Sequence, residues 1–237
     1  MAMIPSRDRL IVALDVPTVA EAEALVSRLG DSVTFFKVGQ ELIYAGGLPF
    51  AERLARSGKQ VFLDAKLLDI DNTIAGAIRS ILPMGMTFVT VHAYPKAMRA
   101  AVAARGPEPL GLLGVTVLTS MSDTDVADAG YGDNAAALVA RRAADARVAG
   151  MTGVVTSPAE AAAVRAVVGP DMAIVTPGVR PAGSATGDQQ RIATPAAAVR
   201  AGADYLVVGR PVTAAPDPKH AANAIVAEID AALAEIA

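Results

Sequence analysis

Residues 60–69 read Gln-Val-Phe-Leu-Asp-Ala-Lys-Leu-Leu-Asp, and a stretch with helical patterning, 73–84, follows. Side chains on a strand alternate faces, so Phe62, Asp64 and Lys66 share one side and Val61, Leu63 and Ala65 the other. The wholly apolar set suits packing against helices. Asp64 and Lys66 then project from the opposite face at the C-terminal end of the strand. Asp69 lies just beyond, in the loop. The unit is a short apolar strand, a charged exit and a helix.

The same unit recurs outward in both directions. Strands are expected at 10–15, 33–38, 60–66, 87–92, 111–118, 153–156, 173–176 and 205–208. Helices are expected at 19–29, 49–57, 73–84, 96–105, 135–149, 159–168, 196–201 and 219–236. Strand–helix repetition implies a parallel sheet. Eight units at roughly 30 residues each approach the ~250-residue size of a (β/α)8 TIM barrel. The fold class is therefore α/β, with the barrel preferred and a doubly wound open sheet as the alternative. No linker or low-complexity segment divides the chain, so residues 1–237 form one domain.

Composition narrows the function. The chain is 53% hydrophobic and 19% charged, with a net charge of -3. That apolar content excludes disorder as the main state, and the acidic balance argues against nucleic acid as a partner. There is no cysteine, which excludes disulfides and thiolate chemistry, and His92 and His220 are too few for a histidine-rich metal site. Mean hydropathy is +0.41. Yet the longest run without a charged residue, 80–95, is 16 residues, short of the ~20 that span a bilayer. The N-terminus is too polar for a secretory signal. No membrane association is expected, and the cytoplasm is the simplest location.

In a barrel the active site lies where strands end and βα loops begin. Asp15 ends the first strand, Lys37 stands near the end of the second, and Asp64, Lys66 and Asp69 close the third. Buried charges are costly unless paired, so this cluster is either a structural ion-pair network or a site that holds an ammonium against a reacting atom. His92 ends the fourth strand and reads as a structural residue; His220 reads as solvated surface. Thr119 and Ser120 follow the fifth strand and offer hydroxyls, as a turn also does. After the seventh strand, 177–190 is a long Gly/Pro-containing loop carrying Arg180 and Gln189, with Arg191 just beyond; its length favours a lid over a plain surface loop. Gly209 and Arg210 follow the eighth strand. Loops after strands seven and eight are the usual phosphate site of this fold, and a guanidinium with exposed amides suits a phosphate dianion.

These motifs resemble those of the orotidine 5′-phosphate decarboxylase family. The likeness rests on FKVG (36–39), LDAKLLDIDNT (63–73), VTVHA (89–93), TPGVRPAGSATGDQQRIATP (176–195) and VGRPVT (208–213). The Asp64-x-Lys66-x-x-Asp69 element belongs to a wider set of barrels, and the TPG-x-R…GDQ-x-R stretch is the more specific part. The resemblance implies a cofactor-free, metal-free homodimeric barrel acting on the nucleotide orotidine 5′-monophosphate, with active sites shared between subunits. It implies Lys66 as proton donor to C6 and Asp64 beside the scissile carboxylate. Lys37 and Asp15 would hold the ribose hydroxyls and the charge network. Asp69, Ile70 and Thr73 would reach the partner's site, and Thr119 the pyrimidine. Arg180, Gln189, Gly209 and Arg210 would grip the phosphate.

The chain also departs from the family pattern. Leu68 stands where a His is common, Asp71 where a Pro is common, and Tyr94-Pro95-Lys96 replaces small residues after His92-Ala93. Two rival readings remain. A sister barrel acting on sugar phosphates usually has a metal-binding carboxylate in place of the strand-2 lysine, and Lys37 argues against it. A non-catalytic nucleotide-binding barrel would not need Asp64 and Lys66.

Overall fold

The structure, a computed structural model, describes residues 4–182 and 193–236. All eight expected strands form: β1 Leu10–Ala13, β2 Phe35–Val38, β3 Gln60–Leu67, β4 Phe88–His92, β5 Gly111–Val115, β6 Gly153–Val155, β7 Ala173–Thr176 and β8 Tyr205–Val208. They pair in parallel in chain order. β8 returns to pair with β1, Leu206 against Leu10 and Val208 against Val12, which closes the sheet. That closure decides for the barrel over the open sheet.

Each strand is followed by a helix: α1 Val19–Leu29, α2 Leu48–Arg56, α3 Asp71–Ile81, α4 Pro95–Arg105, α5 Ala135–Ala149, α6 Ala161–Val168, α7 Pro195–Arg200 and α8 Pro218–Ile236. The local chemistry of α1 shows why. The Thr18 side chain accepts from the Glu21 N–H at its start, Gly30 at φ 54° stops it, and Ala22, Leu25 and Leu29 give it one buried face. Among the described residues, the short α-helical pieces Gln40–Leu42, Asp123–Asp128 and Arg210–Thr213 were not expected from sequence.

The core has two shells. The outer one packs Val61 and Leu63 with the helices, among them Ile74 and Ile78 of α3. The inner one fills the barrel with Ile11, Phe35, Phe62, Phe88, Leu113, Val175 and Val207. Rings plug its lower half, with Phe35–Phe88 centroids 5.5 Å apart and Phe88–Tyr205 5.2 Å. Gly111 makes room for them, since a Cβ there would fall 2.4 Å from Phe88 Cδ1. Above this apolar plug the inward-facing positions of β2, β3 and β4 turn polar, at Lys37, Asp64 and Thr90.

Candidate active site

Register places the charges. Lys37 of β2 lies level with Ala13 of β1 and Phe62 of β3. Asp15 and Asp64, each two residues further along, therefore flank its ammonium. Lys37 Nζ donates to Asp15 Oδ1 at 2.8 Å and lies 3.6 Å from Asp64 Oδ2. Lys66 Nζ donates to the same Asp64 Oδ2 at 2.7 Å. The result is a chain, Asp15–Lys37–Asp64–Lys66, across three strands. Gly39 is part of it: a Cβ there would fall 2.7 Å from Asp15 Oδ1 and 2.8 Å from Lys37 Nζ.

Burial alone pushes the Asp64 carboxyl up. The charges of Lys37 and Lys66, with hydrogen bonds from Lys66 and Thr90, outweigh it and hold Asp64 below the usual carboxylate range. Asp64 is thus an anion at neutral pH. Asp15 is half exposed at the rim, while Lys37 and Asp64 are buried.

The simple alternation that pairs Asp64 with Lys66 holds only in outcome. β3 is irregular here: Leu63 is level with Val89 and Leu67 with Val91, so Asp64, Ala65 and Lys66 all face the single residue Thr90. Lys66 takes φ 49° and is the one non-glycine residue with positive φ among those described. The irregularity turns the Lys66 side chain back onto Asp64.

These groups open into a cavity of about 360 Å³ at the C-terminal rim of the barrel. Val115, Val117, Leu118 and Val155 give it an apolar part, and Thr119 lines it as well. Gly178, Arg180, Gly209 and Arg210 line it from the loops after β7 and β8. Arg180 is buried and donates through Nη1 to the Val179 carbonyl at 3.0 Å. Its pKa is pushed down by burial and by the nearby charge of Arg210. Two guanidinium groups held this close favour an anion between them.

Asp69, Ile70 and Thr73 stand elsewhere. They are exposed and do not line this cavity. Asp69 Oδ1 accepts from the Ile70 N–H at 2.6 Å, and the N-cap of α3 is Ile70, so Asp69 does not cap that helix. Gln189 lies outside the described residues. His92 stands beside the site, its pKa lowered by burial and by the charges of Arg142 and Lys66.

Sequence reasoning missed three features. Thr90 sits fully buried beneath Asp64, and only its place two residues before His92 on an inward strand face marks it. Gly39 lies two residues beyond the β2 lysine. Arg142 of α5 lies over the rings of Tyr94 and Tyr131, 4.8 Å and 5.0 Å from their centroids, and the two hydroxyls are 2.5 Å apart. Tyr94 is one of the departures noted above, and two others meet: Lys96 Nζ is 3.5 Å from Asp71 Oδ2.

Comparison with known proteins points the same way. Residues 8–225 match the model of the orotidine 5'-phosphate decarboxylase / HUMPS family. An orotidine 5'-phosphate decarboxylase of Rhodopseudomonas palustris strain BisB5 is 62% identical over 223 residues, covering 94% of this chain and 95% of that protein. Its counterpart in strain TIE-1 is 60% identical over 229 residues, 97% of each chain. The crystal structure of orotidine 5'-phosphate decarboxylase from Lactobacillus acidophilus superposes with a TM-score of 0.82 at 37% identity, covering 93% of this chain and 98% of that one. With a closed barrel, a lysine–aspartate chain at its rim and relatives this similar over nearly their whole length, the chain belongs to the orotidine 5'-phosphate decarboxylase / HUMPS family.

Proposed function

We propose that this protein converts orotidine 5′-monophosphate to UMP and CO2, with Lys66 delivering the proton that replaces the carboxylate at C6. The observation that carries this reading is the Lys66–Asp64–Lys37 chain opening into a cavity that Arg180 and Arg210 also line.

The phosphate is read as sitting at Arg180, Arg210 and Gly209, with Gln189 of the intervening loop added on closure. The ribose then falls to Lys37 and Asp15. The pyrimidine meets the apolar part of the cavity and Thr119, with its C6 carboxylate against Asp64. Two carboxylates about 4 Å apart repel by roughly 4 kcal/mol at an effective dielectric near 20. Breaking the C6–carboxylate bond releases neutral CO2 and removes that repulsion. The bonding pair stays on C6, in an orbital the ring delocalises poorly. The Lys66 ammonium stabilises that charge and gives C6 a proton, then regains one from water. Asp64, held ionised, has no proton to offer. Phosphate binding is remote from the bond that breaks, so its energy is available to close the site.

The same reading includes a homodimer with shared sites. Leu68, Ile70, Tyr94 and Leu118 are exposed on βα loops. Asp69, Ile70 and Thr73 lie outside their own cavity, as residues serving a partner's site would. No helix among the described residues is long and apolar enough to cross a membrane. A dianionic nucleotide does not cross one unaided, and the cytoplasm is where we place the reaction.

The test is turnover of orotidine 5′-monophosphate, followed by loss of substrate absorbance, in the presence of EDTA. Undiminished UMP formation is expected. Activity that is lost with EDTA and restored by Mg²⁺ would favour a sugar-phosphate chemistry instead.

A further inference from the structure

We propose that Thr90 is a positioning residue for the proton-delivering pair, its one hydroxyl fixing both the Asp64 carboxylate and the backbone that carries Lys66. The inference rests on the decarboxylase reading for its kinetic consequences, though not for the geometry behind it.

Thr90 is fully buried on the inward face of β4, directly above Phe88 in the strand alternation. Its Oγ1 donates to Asp64 Oδ1 at 2.9 Å and accepts from the Lys66 N–H, also at 2.9 Å. A threonine hydroxyl has one proton to give, so the donor is committed to Asp64 and a lone pair to Lys66. Both contacts fall where β3 loses its regular register with β4. The side chain of Thr90 therefore supplies the bond that the strand ladder does not. Lys66 needs such a hold, because its left-handed backbone is unfavourable for a residue bearing a Cβ.

The consequence for Asp64 is orientation. With Oδ1 tied to Thr90, Oδ2 is the oxygen turned to both Lys66 and Lys37. Without that bond the carboxylate is free to rotate, and the Lys66 ammonium loses its fixed aim. Valine has nearly the same shape but neither donor nor acceptor, so Thr90→Val isolates the hydroxyl. Thr90→Ser keeps it and removes only a methyl group.

Thr90→Val is expected to lower kcat about ten- to hundredfold, the effect of losing one hydrogen bond to a charged group, with KM changed by less than about threefold. Thr90→Ser is expected to recover most of kcat. The charged groups facing Asp64 are Lys37 from β2, Lys66 from β3 and, more distantly, His92 from β4; Asp15 reaches it through Lys37. All are unchanged in these variants. Losing a bond that favours the ionised carboxyl raises its pKa, so the acid limb of kcat/KM should move to higher pH in Thr90→Val and return in Thr90→Ser. An NMR titration of Asp64 without substrate should show the same upward move. A residue that merely packs the barrel would lower the melting temperature and leave these readouts alone. Wild-type kcat with an unmoved Asp64 titration in Thr90→Val would overturn the proposal, as would an equal loss in Thr90→Ser. If Thr90→Val does not fold, Thr90→Ala replaces it with the same expected pattern. If the wild-type protein itself does not turn over orotidine 5′-monophosphate, the decarboxylase reading fails, and the Asp64 titration still decides the role of Thr90.

Discussion

Arg180 and Arg210 are assigned to one phosphate, but they are not equivalent, and the difference is measurable. Arg180 is 8% exposed and Arg210 lies on the exposed rim. Hydrogen bonds to charged groups contribute about 1.5–3 kcal/mol, and desolvation favours the upper end. Arg210→Ala should therefore cost about 1.5 kcal/mol, roughly tenfold in kcat/KM. Arg180→Ala should cost about 3 kcal/mol, roughly 150-fold, since it also releases the Val179 carbonyl that Arg180 holds. The assay compares each variant on orotidine 5′-monophosphate and on orotidine, which lacks the phosphate. For Arg210→Ala the loss should largely vanish with orotidine. An equal loss on both substrates would mean that Arg210 supports the barrel rim rather than the phosphate. A larger loss at Arg210 than at Arg180 would refute the argument from burial.

Two further outcomes are expected. Lys66→Ala and Asp69→Ala proteins, each nearly inactive, should regain about a quarter of wild-type activity when their subunits are exchanged, because half the dimers are mixed and each has one intact site; no recovery, with exchange verified, would refute the shared site. Arg165→Met should lower stability by about 3 kcal/mol, or roughly 6–12 °C in Tm, with kcat unchanged: its guanidinium ties Asp204 to the Gly169, Met172 and Gly202 carbonyls near the starts of β7 and β8. A melting curve matching wild type would show that these contacts are redundant.

Much of the fold was legible because its elements are short and locally consistent. The expected strands 173–176 and 205–208 and the helices 19–29 and 135–149 coincide with β7, β8, α1 and α5. Strand β5 ends at Val115 rather than at 118, although Thr116 and Val117 remain buried. Apolar patterning records burial, and burial continues into the cavity wall after the ladder has stopped. Closure was legible only indirectly, from the count of eight units and the family resemblance, because the β1–β8 pairing joins residues nearly 200 positions apart and no local pattern encodes it. At the site, charge at strand ends marked Asp15, Lys37, Asp64 and Lys66. Period-two reasoning could not supply the register shift that brings Asp64 and Lys66 together. Thr90 was invisible for the same reason: a threonine on a buried strand is ordinary until the irregularity opposite it is known.

The claim at the centre of this account is that Lys66 supplies the proton to C6. It is tested most directly by measuring UMP formation from orotidine 5′-monophosphate by wild-type protein and by Lys66→Ala side by side. In the variant Asp64 keeps Thr90 and Lys37 as partners, so the barrel should fold. The account predicts turnover by the wild type and none above background by a folded Lys66→Ala protein. Near-normal kcat in that variant would contradict it.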